Sequence, residues 1–150
     1  MLHIASNDDD EASYDITLTG TGYQLVPEIT VSQPATTDLT DGAAAKNFGT
    51  VTASTGFSLT FTVRNTGTSD LTGIALTKDG THATQFSIIT HPATTVAAGG
   101  STTFVVRFSP TSNGLKTAAI HLASNDADES PFDITLTGTG YTPVPEIDIQ

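Results

Sequence analysis

The sequence predicts an all-β chain: short antiparallel strands packed as a two-layer sandwich, one unit of a tandem array. Three observations carry this expectation. Apolar residues alternate with Ser and Thr, most cleanly at Phe57, Leu59, Phe61 and Val63, so each such segment has one face to bury and one to leave in water. Turn-forming clusters recur about every ten residues, with no amphipathic helical stretch between them. Finally, a thirty-residue text is written twice, as LHIASNDDDEASYDITLTGTGYQLVPEITV at 2–31 and IHLASNDADESPFDITLTGTGYTPVPEIDI at 120–149.

His3 aligns with His121, 118 residues on, and about two-thirds of the paired positions are identical, which marks an internal repeat. The shared text runs through TLTGTGY into VPEI, so it covers the end of one unit and the start of the next. The expected division is residues 1–23 as the C-terminal hairpin of a preceding repeat, 24–141 as one complete repeat, and 142–150 as the first strand of the following one. Met1 stands before what reads as a mid-domain strand, without a basic start or an apolar h-region, so the natural N-terminus is expected elsewhere.

Taken in order, Leu2 and Ile4 alternate with His3, SNDDDE turns the chain, and Tyr14, Ile16 and Leu18 alternate with polar residues. That is a hairpin with one apolar face. The glycines of GTG at 20–22 are expected to end it. Ile29 and Val31 begin the next unit, bracketed by Pro27 and Pro34 as an edge strand would be. Residues 34–47 read as loop, Phe48 to Val51 as a short strand, and 57–64 as a central strand ended by NTGTS. Leu71 to Leu76 reads as a strand with a bulge at Gly73, and Ala83 to Phe86 as one helical turn before a strand to Ile89. Residues 92–100 form a loop anchored by Val96. Phe104, Val106 and Phe108 then alternate, with Val105 apolar on the other face. Ala118, Ile120 and Leu122 are expected to pair with Leu136, Ile134 and Phe132 across the SNDADE turn.

Seven to eight strands of this kind favour an antiparallel immunoglobulin-like β-sandwich. Trp and Cys are both absent, so the core is expected to rest on Phe57, Phe61, Phe104, Phe108 and Phe132, each worth about 2 kcal/mol on burial. Without cysteine there can be no disulfide, thiolate metal site or thiol catalysis. Sixteen acidic residues against Lys46, Arg64, Lys78, Arg107 and Lys116 give a net charge of −11. Such a surface repels phosphate backbones and anionic headgroups, so neither nucleic acid nor a bare membrane is an expected partner. No apolar run approaches the roughly 18 residues a membrane-spanning helix needs, so direct membrane insertion is not expected.

The order PEI, FGTV, LTFTVRNTGTSDL, QFSI, PATTVAAGGSTTFVVRFSPTSNGLKTAAIHLASND and FDITLTGTG resembles the Hydin-type or ASH-type immunoglobulin-like domains, and most of all the bacterial repeats called choice-of-anchor D domains. The resemblance covers the whole 118-residue unit. It implies a secreted or surface-attached bacterial protein built from repeated sandwiches, hence an extracellular or cell-surface location. It supplies no catalytic residue to carry over, so no enzyme activity is expected.

Other sites are argued from the residues. The acidic turns offer Asp8, Asp10 and Glu11, and again Asp126, Asp128 and Glu129, as closely spaced hard oxygen ligands of the kind Ca²⁺ takes. They also read as solvated hairpin turns, and neither has the glycine and distal glutamate of an EF-hand loop. No cofactor other than Ca²⁺ is in view. If Ca²⁺ binds, a domain junction suits it, where Glu28 or Glu146 approaches an acidic loop. His3 and His121 take the outward parity of their strands and His82 and His91 lie in loops, a scatter that suits surface histidines better than zinc. Ser and Thr lack a nucleophile-elbow context, and no helix follows TGTG to make a phosphate site.

Two functional classes stay open. One is a structural module, a stalk or fibre element whose partners are other copies of the repeat, in the same chain or by strand or hairpin donation. Its assembly interface would be the apolar face Leu2, Ile4, Tyr14, Ile16 and Leu18, because an isolated hairpin is marginal in water. The other is an adhesin module binding a glycan or protein through loops 34–47 and 92–100.

Overall fold

Alternating apolar residues become strand where a neighbouring strand satisfies their backbone groups. The computed structural model describes residues 1–10, 12–43 and 45–147. Its strands are β1 (Leu2–Ala5), β2 (Ser13–Ile16), β3 (Ile29–Ser32), β4 (Lys46–Thr52), β5 (Phe57–Asn65), β6 (Leu71–Thr72) and β7 (Ala75–Asp79). A 3-10 turn at Ala83–Gln85 precedes β8 (Phe86–Thr90), β9 (Thr95–Val96), β10 (Ser101–Phe108), β11 (Gly114–Ala123) and β12 (Phe132–Tyr141). Two four-stranded sheets, β3-β5-β10-β8 and β4-β12-β11-β7, face each other. The ribbon β6-β9 pairs outside both sheets but gives Leu71 and Val96 to the core, and the hairpin β1-β2 is a separate two-stranded sheet.

Between the sheets lie Phe61, Phe86, Phe104 and Phe108, all fully buried, with Phe132, Ile120, Leu122 and Leu136 opposite. Phe61 stacks on Phe104 at 4.9 Å and Phe86 on Phe108 at 4.7 Å. Phe57, expected in this stack, is 48% exposed. It opens β5 at the end of the sandwich, where the sheets run out, and Phe48 meets its ring edge-on at 6.5 Å. Phe48 and Phe86 fill the place it was given.

Three further departures have physical causes. The segment 71–76 is not one bulged strand: β6 pairs with β9 and β7 with β11, so the chain changes partners across Gly73. β4 lies parallel to β12, in an otherwise antiparallel sandwich. The glycines of LTGTG do not end β12, which continues through Gly138 and Gly140 to Tyr141. Both are on the inward face, where a Cβ on Gly138 would sit 2.5 Å from the Phe108 ring and one on Gly140 would meet Pro110 and the Ser112 backbone. They are glycines because a ring of the opposite sheet, at Gly138, and the turn 109–113, at Gly140, already occupy their side-chain space.

β11 and β12 pair as the alternation predicts, Ile120 with Ile134 and Leu122 with Phe132. The hairpin β1-β2 has the same register one repeat earlier, Leu2 with Ile16 and Ile4 with Tyr14. Its environment differs. Leu2 and Ile4 are each 48% exposed, Tyr14 59% and Leu18 65%, whereas their equivalents Ile120, Leu122, Phe132 and Leu136 are all at most 2% exposed.

Candidate functional site

The strands place two sets of turns at opposite ends of the sandwich. The proximal pole is where β3 begins: Ile29 pairs with Asn65, and the turns 65–70 and 124–131 close over it. The distal pole is where β12 ends, beside the turns 53–56 and 109–113.

Asn65, the asparagine of NTG, is buried and organises the proximal pole. Its Nδ2 donates to the carbonyls of Ser69 at 2.7 Å and Val96 at 3.0 Å, and its Oδ1 accepts from Gly67 N–H at 3.1 Å and Glu28 N–H at 3.4 Å. The turn so held receives the incoming chain: Thr68 N–H and Ser69 N–H donate to Val26 O, and Thr66 N–H to Glu28 O. Gly67 lies directly under Val26 to Glu28, leaving no room for a Cβ. The segment 26–28 is thus docked onto the sandwich before its first strand starts.

The acidic turn supplies the second clasp. Asp126, buried, accepts from Ile29 N–H at 2.7 Å through Oδ2 and from Asp128 N–H at 3.4 Å through Oδ1. Asn125 accepts from Thr72 N–H at 2.7 Å and donates to Asp70 O at 3.1 Å. The turn therefore ties β3 and β6 to the end of the β11-β12 hairpin. In the first copy the local bonds recur, Asp8 N–H to Ser6 Oγ at 3.2 Å and Asp10 N–H to Asp8 Oδ1 at 3.4 Å, as in Ser124 to Asp128. There Asn7 and Asp8 are exposed.

Of the six carboxylates proposed for Ca²⁺, Asp126 and Asp128 are brought together, and Glu28 joins them with ligand atoms within 4.8 Å of one another. Glu129 is close enough to feel this charge. Partial burial first, then Glu28, Asp126, Asp41 and Asp128, push its carboxyl above the ordinary 4.5. Glu28 is raised likewise, by burial first and then by Asp126 and Asp128. Asp8 and Asp10 share a turn of their own, in which hydrogen bonds from Asp10 hold the Asp8 carboxyl below its ordinary value. Glu11 lies outside the described residues. Three carboxylates offer six oxygens toward the six to eight or so that Ca²⁺ takes, and both oxygens of Asp126 already accept from backbone amides.

His121 sits on the outer face of its sheet between two carboxylates. Its Nδ1 bonds Asp133 Oδ1 at 2.7 Å, and Nε2 lies 3.3 Å from Asp79 Oδ1, within ion-pair reach but without hydrogen-bond alignment. The bond to Asp133 raises its pKa most, burial opposes, and Asp79 adds to the rise. His3 meets Asp15 in the equivalent way. His82 accepts from Thr117 N–H at 3.1 Å and so serves the fold. Loop 34–47 contributes Leu39, Thr40, Ala43 and Lys46 to a small pocket with Asp133 to Thr135. Loop 92–100 is pinned inward by Val96 and by Ala93 N–H to Thr102 Oγ1 at 2.9 Å.

Two facing sheets with tied turns and docked ends define an immunoglobulin-like β-sandwich. Residues 42–139 match the HYDIN/CFA65/VesB-like, Ig-like domain family, and the chain belongs to it. Its fold is similar to the ASH/PapD-like domain of human CEP192 (PapD-like domain 7), at 11% identity over 87% of this chain and 96% of that one, with a TM-score of 0.60. A protein of unknown function from Porphyromonas gingivalis W83 is also similar, at 14% identity over 91% of this chain and 84% of that one, with a TM-score of 0.53. No curated protein matches the sequence.

Proposed function

We propose that the chain is a stretch of a tandem array of Ig-like sandwiches that works as a spacer, a stalk or fibre element outside or on the surface of a bacterial cell, of the choice-of-anchor D kind. In this reading residues 1–23 are the closing hairpin of one module, 24–141 a complete module, and 142–150 the opening of the next. One observation carries it: two hairpins of nearly the same sequence and register, the second buried between sheets and the first with the same apolar face open to water. The β1-β2 face matches the inner face of a sandwich because it is built from the residues that line one. Burying it against another copy, joined in sequence or donated by a neighbouring molecule, is the route by which each exposed apolar side chain gains about 2 kcal/mol.

The adhesin reading draws less support, since loops 34–47 and 92–100 spend much of their bonding on their own sandwich. Deleting residues 2–22 tests the hairpin's part. Light scattering should show the higher-order species of the full chain disappear in the deleted form, and species that persist unchanged contradict the assignment.

A further inference from the structure

The two poles of the sandwich carry opposite charge. Segments 26–28, 65–70, 97–100 and 124–131 at the proximal pole contain Glu28, Asp70, Asp126, Asp128 and Glu129 and no Lys or Arg, and Arg64, next to the first of these turns, is paired with Asp38 at 3.7 Å. At the distal pole, 53–58 and 107–116 contain Arg107 and Lys116 and no Asp or Glu. Neither cation has a carboxylate partner among the described residues. Arg107 is exposed and its Nε donates to Ser109 Oγ at 3.3 Å, whereas Lys116 is buried at 6% exposure, its Nζ donating to Ser112 Oγ and Asn113 O, both at 3.0 Å. At the proximal pole Glu28 and Glu129 hold their protons more tightly than usual, through desolvation first and then through the neighbouring carboxylates.

The repeat fixes how far apart these poles stand in successive modules. Tyr141 ends β12, and Thr142 N–H is tied back to Asn113 Oδ1 at the distal pole. Val144 is the repeat equivalent of Val26, the residue docked on turn 65–69 of the module that follows it. Only Pro143 lies between the two anchors, and two residue steps span at most about 7 Å. That is shorter than the screening length of about 8 Å at physiological salt. Taking the tandem reading as given, we propose that consecutive modules dock pole to pole, with the exposed Arg107 of one module, backed by the buried charge of Lys116, facing the carboxylates of Glu28, Asp128 and Glu129 of the next. The junction is then a charged contact that aligns the modules, and the acidic turn belongs to the preceding module's cations.

The test is a two-module protein in which residues 1–141 of the chain continue directly into a second copy of residues 24–150. By NMR the two modules should tumble as one body at low salt and separately in 1 M NaCl. Glu28 of the second module should titrate about 1 pH unit below Glu28 of the first, since only the second faces a cationic pole. Arg107→Glu in the first module should cancel that difference while both modules keep their amide spectra. Two folded modules whose Glu28 residues titrate alike, or whose coupling ignores salt, overturn the docking alone. A second copy that fails to give the spectrum of the first sinks the tandem reading as well. Alignment that appears only when Ca²⁺ is added also overturns the docking, because it assigns the carboxylates to the metal.

Discussion

Asn65 and Asp126 read in the sequence as ordinary turn residues, Asn for its backbone conformation and Asp as one acid in a run of them. Their work depends on partners far along the chain: Val96 for Asn65, and Ile29 for Asp126 across ninety-seven positions. Local pattern holds no signal for such bonds, although buried polar side chains must find them. Glu28 was legible in part, because the repeat shows it at a junction beside an acidic loop. The loop it meets is the one in its own module. His121 was legible as outward-facing, but its carboxylate neighbours become visible only once β7, β11 and β12 are placed side by side.

His121 gives a pH signature whose sign can be worked out. Its folded-state pKa is raised above 6.5 by Asp133 and Asp79. The protonated ring therefore stabilises the fold in full below pH 6.5, and that contribution is lost as pH rises through the raised value. Glu28 and Glu129, raised above 4.5, add stability as pH falls through their folded values toward 4.5. Urea midpoints should decline from pH 6 to 8 in the parent chain and decline less in His121→Gln. The same slope in both would show that the histidine pair contributes nothing.

At the scale of elements, YDITLTGTGY and FDITLTGTGY show how far sequence alone decides a strand. The first yields three strand residues, Tyr14 to Ile16, and the second ten, because β12 has β11 and β4 on either side and the full opposite sheet above it. Alternation was enough to reveal both hairpins and their register. It could not reveal that the glycines lie inside a strand, since a glycine facing a phenylalanine ring and a glycine ending a strand look the same in a string of letters. Nor could it reveal the change of partner at Gly73 or the parallel course of β4, which are set by tertiary packing. The repeat supplies an internal control for the glycine argument. Gly138→Ala should cost about 1–3 kcal/mol in urea unfolding, through displacement of Phe108. Gly20→Ala, at the equivalent position with open space around it, should stay within about 0.5 kcal/mol. Equal losses at the two sites would contradict the packing role.

For the whole molecule, the chain enters the sandwich at one pole and leaves at the other, about 30 Å away along β12. Opposed ends, docked linkers and unlike charges suit modules that add in a line. From Tyr141 to the next first strand at Ile147 is six residue steps, so the module repeat in an array should not exceed about 50 Å. The resemblance to the Hydin and ASH domains was legible from NTG, FSPTSNG and LTGTG, and these motifs now have places: the proximal clasp, the distal turn and the inner face of β12.

The most direct measurement is amide hydrogen exchange on the chain with residues 24–119 joined in front of Leu2, which supplies the remainder of a module to the β1-β2 hairpin. The account requires Leu2, Ile4, Tyr14, Ile16 and Leu18 to become as protected as Ile120, Leu122, Phe132, Ile134 and Leu136. Amides in the hairpin that exchange as fast with the added residues as without them would contradict it.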